Sequence, residues 1–118
     1  MIDKNELEEE IEILKQDAKK SIVVVEGIKD KKALEDLRIK HVMVLRKPLY
    51  LVCEHIQKSG KPCIILTDLD REGKRMYIIL NHNLNQLGVH INNRFREFLF
   101  QTRLRQIEGI TKYLKTIE

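Results

Sequence analysis

Apolar positions along the chain follow two rhythms that alternate. Over residues 4–20, Leu7, Ile11, Leu14 and Ala18 recur at spacings of four, three and four, which places them on one face of a helix. Ser21 instead leads into a continuous β-branched run, Ile22 to Val25, that ends in Glu26-Gly27, as expected of a buried strand reaching a loop. Helical spacing returns from Asp30 to Leu37, with Asp30 near the cap and Ala33, Leu34 and Leu37 facing inward. His41 to Leu45 reads as a second strand, broken by Arg46-Lys47-Pro48. Pro48 suits the first turn of a helix that carries Leu49, Val52 and Ile56 on one face.

Ser59-Gly60-Lys61-Pro62 is a turn signal. Cys63 to Thr67 reads as a third strand and runs into Asp68-Leu69-Asp70-Arg71-Glu72-Gly73. A long helix is expected next, with Met76, Ile79, Leu80, Leu84 and Leu87 inward and Gly88 at its C-terminal stop. Val89-His90-Ile91 reads as a short fourth strand. The rest reads as helical, through Phe95, Phe98, Leu99 and Thr102 and then Ile107, Ile110, Leu114 and Ile117.

Alternating strands and helices of these lengths predict an α/β fold: a parallel sheet covered on both faces, with right-handed crossovers. A chain of 118 residues is one domain by size, long enough to bury roughly two-thirds of the surface its unfolded form exposes. No internal repeat, low-complexity segment or linker interrupts it. Hydrophobic residues make up 42% and charged residues 34%, which excludes the disordered class. No apolar run approaches the ~20 residues needed to span a bilayer, so no membrane partner is expected. The opening MIDKNELEEE is acidic and polar, unlike a signal or transit peptide, and a cytoplasmic location is the expectation.

Cys53 and Cys63 stand ten residues apart without ligand spacing around them, so both read as small buried hydrophobes rather than a disulfide or zinc site. The four histidines are scattered singly. Charge is more informative by segment than in total. Residues 1–20 hold seven acids against four bases, a net of −3; residues 21–91 and 92–118 carry +4 and +3. A mildly basic body permits a polyanionic partner, although basic charge alone is usually a solvated face.

The chemistry concentrates where strands end. In open parallel sheets, ligands bind beyond the carboxyl ends of the strands, at the switch in strand order. Two strands here end in carboxylates, Glu26 after the first and Asp68 and Asp70 after the third. With the usual 2-1-3 winding these groups meet in one crevice. Asp68 and Asp70 are two apart, which an extended backbone points to one side, and Glu72 follows where the chain turns into a helix. Crowded carboxylates repel and raise one another's pKa unless a cation neutralises them. Hard oxygen ligands suit Mg²⁺ (or Mn²⁺), bound through one or two carboxylates, waters and substrate phosphates.

A plainer reading stands beside this one: Asp70 could cap the helix that begins near Arg71, and Glu72 could complement its dipole. That leaves Glu26-Gly27 and Asp68 unexplained. Gly27 and Gly73 permit tight turns or close backbone approach. Lys29, Lys31, Lys32, Arg46, Lys47, Arg71, Lys74 and Arg75 all follow strand ends. Each alone reads as a solvated surface base; together they would rim the carboxylate edge and hold phosphates. Aromatic residues are only 5% of the chain, so base stacking is expected to be minor.

These residues resemble the Toprim family, the catalytic domain shared by topoisomerases, bacterial-type primases, recombination-repair proteins and a ribosomal-RNA-maturation nuclease. Its pattern is a strand ending in Glu-Gly and a later strand ending in Asp-x-Asp, matched by VVVEGIKD at 23–30 and IILTDLDREG at 64–73. Asp-x-Asp-x-Glu followed by Gly73 is similar to the type IA topoisomerase form. The resemblance covers roughly residues 21–91 and implies a three-layer, Rossmann-like Toprim fold of about four mostly parallel strands. An N-terminal helix at 1–20 and C-terminal helices at 92–118 would be additions to it. It also implies Glu26 as general acid/base and Asp68 and Asp70, with Glu72, as Mg²⁺ ligands. Gln106-Ile-Glu-Gly-Ile110 resembles, more weakly, a segment of the small primase-like and maturation-nuclease members.

Tyr50, Tyr77 and Tyr113 lack the context of a topoisomerase nucleophile, so strand passage is not expected of this chain. The zinc and helicase-contact domains of primases have no counterpart. A haloacid-dehalogenase phosphohydrolase fits poorly, because its Asp-x-Asp ends the first strand and precedes a small hydroxyl residue. The leading expectation is a stand-alone, nuclease-like enzyme acting on RNA or DNA phosphodiesters. The alternatives are a Mg²⁺-dependent nucleic-acid-binding module acting with a protein partner, and a nucleotide-binding regulatory protein.

Overall fold

The structure, a computed structural model, describes residues 2–116. Helix α1 (Lys4–Ala18) leads into strand β1 (Ile22–Val25), helix α2 (Ile28–Asp36), strand β2 (Val42–Val44) and helix α3 (Leu49–Ser59). Strand β3 (Cys63–Ile65), helices α4 (Arg71–Gln86) and α5 (Arg94–Leu99), a 3-10 turn (Ile107–Gly109) and helix α6 (Ile110–Thr116) complete it. Ile117, expected to face inward, lies outside the described residues.

The three strands form one parallel sheet in the order β2-β1-β3. The expected fourth strand does not form: residues 89–91 contribute one bridge, Cys63 to Ile91, at the β3 edge. Cys63 donates to the His90 carbonyl and accepts from the Asn92 N–H, each at 2.9 Å, after which the chain turns into α5. Two apolar residues flanking His90, between Gly88 and two asparagines, are too few to run a ladder.

Alternation along each strand divides the core. Val23, Val25, Ile64 and Leu66 face one cluster with Leu7, Ile11 and Leu14 of α1, Leu34 of α2 and Phe95 and Leu99 of α5. Ile22, Val24, Cys63 and Ile65 face the other, with Val52, Cys53 and Ile56 of α3 and Leu80 and Leu84 of α4. Period-two side chains on strands buried on both faces make this the required arrangement. Both cysteines are free and buried, and burial pushes the Cys63 thiol up to about 12.

Small departures from the expected faces have local causes. Pro48 is the N-cap of α3 rather than a residue of its first turn, and Leu49 is half-buried while Cys53 takes the inward position. On α4, Tyr77 joins the second cluster and Ile79 does not. Gly60 ends α3 at φ 70°, a left-handed conformation that only glycine adopts without strain. No described helix is long and apolar enough to cross a membrane.

Candidate functional site

The order β2-β1-β3 makes β1 and β3 neighbours, so their carboxyl ends meet at the switch point of the winding. There the Asp68 N–H donates to Glu26 Oε2 at 3.0 Å. Asp68 Oδ1 accepts from the Ile107 N–H at 2.8 Å, and Asp70 Oδ1 accepts from the Gly73 N–H at 2.9 Å. Each of the three carboxylates thus spends one oxygen on a backbone donor. No other donor hydrogen-bonds to them among the described residues.

Glu26 has its pKa raised, chiefly by burial and then by the negative charges of Asp68 and Asp70; the Asp68 N–H opposes this. Asp30 is a member of the group that its reading as a near-cap residue did not anticipate. It is buried on α2 and accepts from the Gly27 N–H at 3.0 Å. Burial first and then the charge of Asp68 raise its pKa, against the Gly27 and Glu108 N–H groups.

Glu72 is placed apart. It is exposed in the first turn of α4 and pairs with Arg75 at 2.6 Å, and the charges acting on it are those of Arg75 and Lys47. Asp70 does cap α4, as the plainer reading required, with its second oxygen left over. Among the described residues no group of three or more His, Cys, Asp or Glu is arranged to enclose a metal ion. The remaining oxygens of Glu26, Asp68 and Asp70 still fit the Mg²⁺ habit of taking one or two carboxylates and completing its shell with water and phosphate.

Gly73 makes the geometry possible. A Cβ there would overlap the Asp68 carbonyl, so the first turn of α4 packs directly on the loop that carries Asp68. The buried Thr67 hydroxyl locks the same contact by donating to the Gly73 carbonyl at 2.7 Å.

Arg96 carries no sequence signal, because a charged residue on a short helix reads as exposed, yet it is only 4% exposed. Its guanidinium donates to the Thr67 carbonyl at 2.6 Å and the Asp68 carbonyl at 3.2 Å. It lies over the Tyr77 ring, 4.5 Å from the centroid, and 5.5 Å from that of Phe100. Burial lowers its pKa, opposed by Tyr77, Glu26 and Asp68. Arg96 therefore supplies a buried positive charge and two clamps on the site loop.

The bases divide into two groups. Arg71, Lys74 and Arg75 line a depression of about 720 Å³ beside Asp70, joined by Arg105. Lys31, Lys32, Arg46 and Lys47 line a separate groove along β2. Lys29 is exposed in the first turn of α2 and lines neither. The single basic rim expected from strand ends is thus two patches, because β2 lies on the far side of β1 from β3. Gln106 to Ile110, singled out only weakly in the sequence, lies against the carboxylates: Ile107 bonds Asp68, and Leu69 donates to the Arg105 carbonyl at 2.7 Å.

No family profile matches the chain. Relatives do. It is 30% identical over 112 residues to a UPF0292 protein of Methanocaldococcus jannaschii, covering 90% of this chain and 88% of that one. The chain belongs to the UPF0292 family. A second UPF0292 protein, from Methanosarcina acetivorans, is 26% identical over 113 residues, covering 91% of this chain and 78% of that one. A solved structure of an Aquifex aeolicus protein superposes with a TM-score of 0.81 at 32% identity, covering 87% of this chain and 96% of that one. The α/β architecture described here for a UPF0292 chain is therefore similar to one already solved.

Proposed function

We propose that this chain performs Mg²⁺-dependent chemistry on nucleic-acid phosphodiesters, most simply nuclease-like cleavage of RNA or DNA. The observation that carries the reading is Glu26: a carboxyl whose pKa is raised beside two further carboxylates at the switch point of a parallel sheet. The resemblance of residues 23–30 and 64–73 to the Toprim pattern supports it, as do the four bases beside Asp70.

In this reading Asp68 and Asp70 would hold Mg²⁺ with their remaining oxygens, and Glu26 is the proton-transfer group. A bound Mg²⁺ would relieve the repulsion among the acids and polarise a phosphoryl oxygen. Glu26 holds a proton at Oε1 or Oε2 and passes it to a departing oxygen, or takes one from an attacking hydroxyl. Arg71, Lys74 and Arg105 hold the flanking phosphates, and Arg96 keeps the Asp68 loop in place without touching substrate.

The test is cleavage of a panel of labelled structured RNAs and DNAs with Mg²⁺, comparing the chain with Glu26→Gln. Defined products that need the metal and vanish in the variant support the enzyme. No cleavage, with equal binding of the panel by both proteins, overturns it. That outcome leaves a Mg²⁺-dependent binding module acting with a protein partner, a second reading favoured by the docking of Ile107 on Asp68, which takes up carboxylate capacity.

A further inference from the structure

Between α4 and α5 lies a recess of about 360 Å³ whose lining includes Tyr77, Ile78, Asn93, Arg96 and Phe100. It shares Lys74 and Ile78 with the basic depression beside Asp70, so the two hollows adjoin. Behind it the guanidinium of Arg96, a residue 4% exposed, lies over the Tyr77 ring and holds the Asp68 carbonyl. Its walls are apolar groups left open to solvent: Ile78 is 66% exposed and Phe100 40%. The Lys74 ammonium stands 5.6 Å from the centroid of the Phe100 ring.

This combination is specific in its chemistry. An exposed aromatic ring and an apolar wall beside a cluster of bases suit a planar π-system, which stacks on the ring while its phosphates meet the bases. Polar groups are available at the recess: the exposed Glu97 carboxylate and the Asn93 amide, whose Oδ1 is engaged by the Tyr77 hydroxyl at 2.8 Å. A carboxylate there accepts from an exocyclic amine. The neighbouring Arg71, Lys74, Arg75 and Arg105 are the complement of a phosphate chain entering from the Asp70 side. An aliphatic ligand would not use the adjoining bases, and an inorganic anion would not use the exposed apolar walls.

We propose that this recess is a subsite for one unpaired nucleobase of the strand whose phosphates reach Asp68 and Asp70. The proposal rests on the nucleic-acid reading above and adds to it a substrate class: single-stranded or unpaired segments, since a base inside a duplex cannot enter a recess. It replaces the expectation that stacking is minor, because one well-placed ring suffices where overall aromatic content is low.

The test is equilibrium binding of fluorescein-labelled single strands of about twelve nucleotides, with Mg²⁺ at low salt, using the full chain. The probes are a natural-base strand, the same strand made entirely abasic, and a blunt duplex. The natural strand is expected to bind about 5- to 100-fold more tightly than the abasic one. Phe100→Ala is expected to erase that preference while leaving abasic binding unchanged. Ile78→Asn, at a position 66% exposed and so unable to unfold the core, serves as the second variant with the same expected loss. Equal binding of natural and abasic strands by the wild type, with the usual salt dependence, would overturn the base subsite and leave the phosphate reading standing. Failure to bind any of the three probes overturns both.

Discussion

The Asp68 N–H donates to the Glu26 carboxylate at 3.0 Å across 42 positions of sequence, tying the loop after β3 to the loop after β1. This bond gives the switch point its shape. It fixes one oxygen of Glu26, whose pKa is raised by burial and then by the charges of Asp68 and Asp70.

Glu26 binds its proton more tightly in the folded chain, because its folded pKa lies above the ordinary 4.5. Its contribution to stability is therefore fully present below that value and is lost as pH rises through the raised folded-state value. Glu26→Gln keeps an acceptor for the Asp68 N–H without the charge. In metal-free buffer it is expected to melt above the wild type at neutral pH, with the gap closing below pH 4.5. Thermal denaturation across pH checks this, and a gap of the same size at acid and neutral pH rules it out.

Added Mg²⁺ should do for the wild type what the substitution does for the variant. A ligand at one hundred times its dissociation constant stabilises a fold by about 2.7 kcal/mol. A melting temperature that rises with Mg²⁺ in the wild type, and not in Asp68→Asn, is the expected result. Identical responses in the two proteins would detach the metal from Asp68.

Arg96 holds two carbonyls of the site loop from a buried position. Arg96→Met keeps the apolar stem but leaves both carbonyls without this donor, a loss of about 3 kcal/mol. Arg96→Lys is expected to fall between, since one ammonium cannot reproduce the planar fork. Urea unfolding measures the ranking; a Met variant as stable as the wild type would remove Arg96 from the support of the site.

Gly73→Ala places a Cβ against the Asp68 carbonyl backbone, which cannot yield without moving the loop. The expected cost is above about 3 kcal/mol, whereas a helix-interior Gly-to-Ala change in open space is stabilising. Chemical denaturation gives the sign directly.

Phosphate contacts make binding salt-dependent. Arg71→Ala and Arg105→Ala are each expected to weaken nucleic-acid binding across sequences and to reduce the slope of log K against log salt by about one. Lys31→Ala, on the β2 groove, is expected to leave that slope unchanged, which separates the two basic patches.

Much of the architecture was legible because it depends on local rhythm. The Leu7, Ile11, Leu14 and Ala18 stripe, the strand Ile22–Val25 and the Cys63–Ile65 run are buried as their spacing requires. The carboxylates Glu26, Asp68 and Asp70 could be placed at one edge from strand ends alone, given the 2-1-3 order. The sequence by itself therefore determined most of the inward apolar positions and which acids stand at strand termini, since periodicity of 3.6 or 2 and turn chemistry act within a few residues.

Tertiary structure decided the rest. A strand needs a partner along several residues, and Val89–Ile91 finds one at a single position, so the fourth strand reduces to a bridge. Whether an acid joins a cluster depends on what stands opposite it: Asp30 is brought to Asp68 by the packing of α2, while Glu72 is drawn to Arg75 on its own helix. The clearest case is Arg96. Nothing in its neighbours in sequence marks it as buried, because the Thr67 and Asp68 carbonyls and the Tyr77 ring that make burial of a guanidinium tolerable come from β3's end and α4, and only folding brings them together.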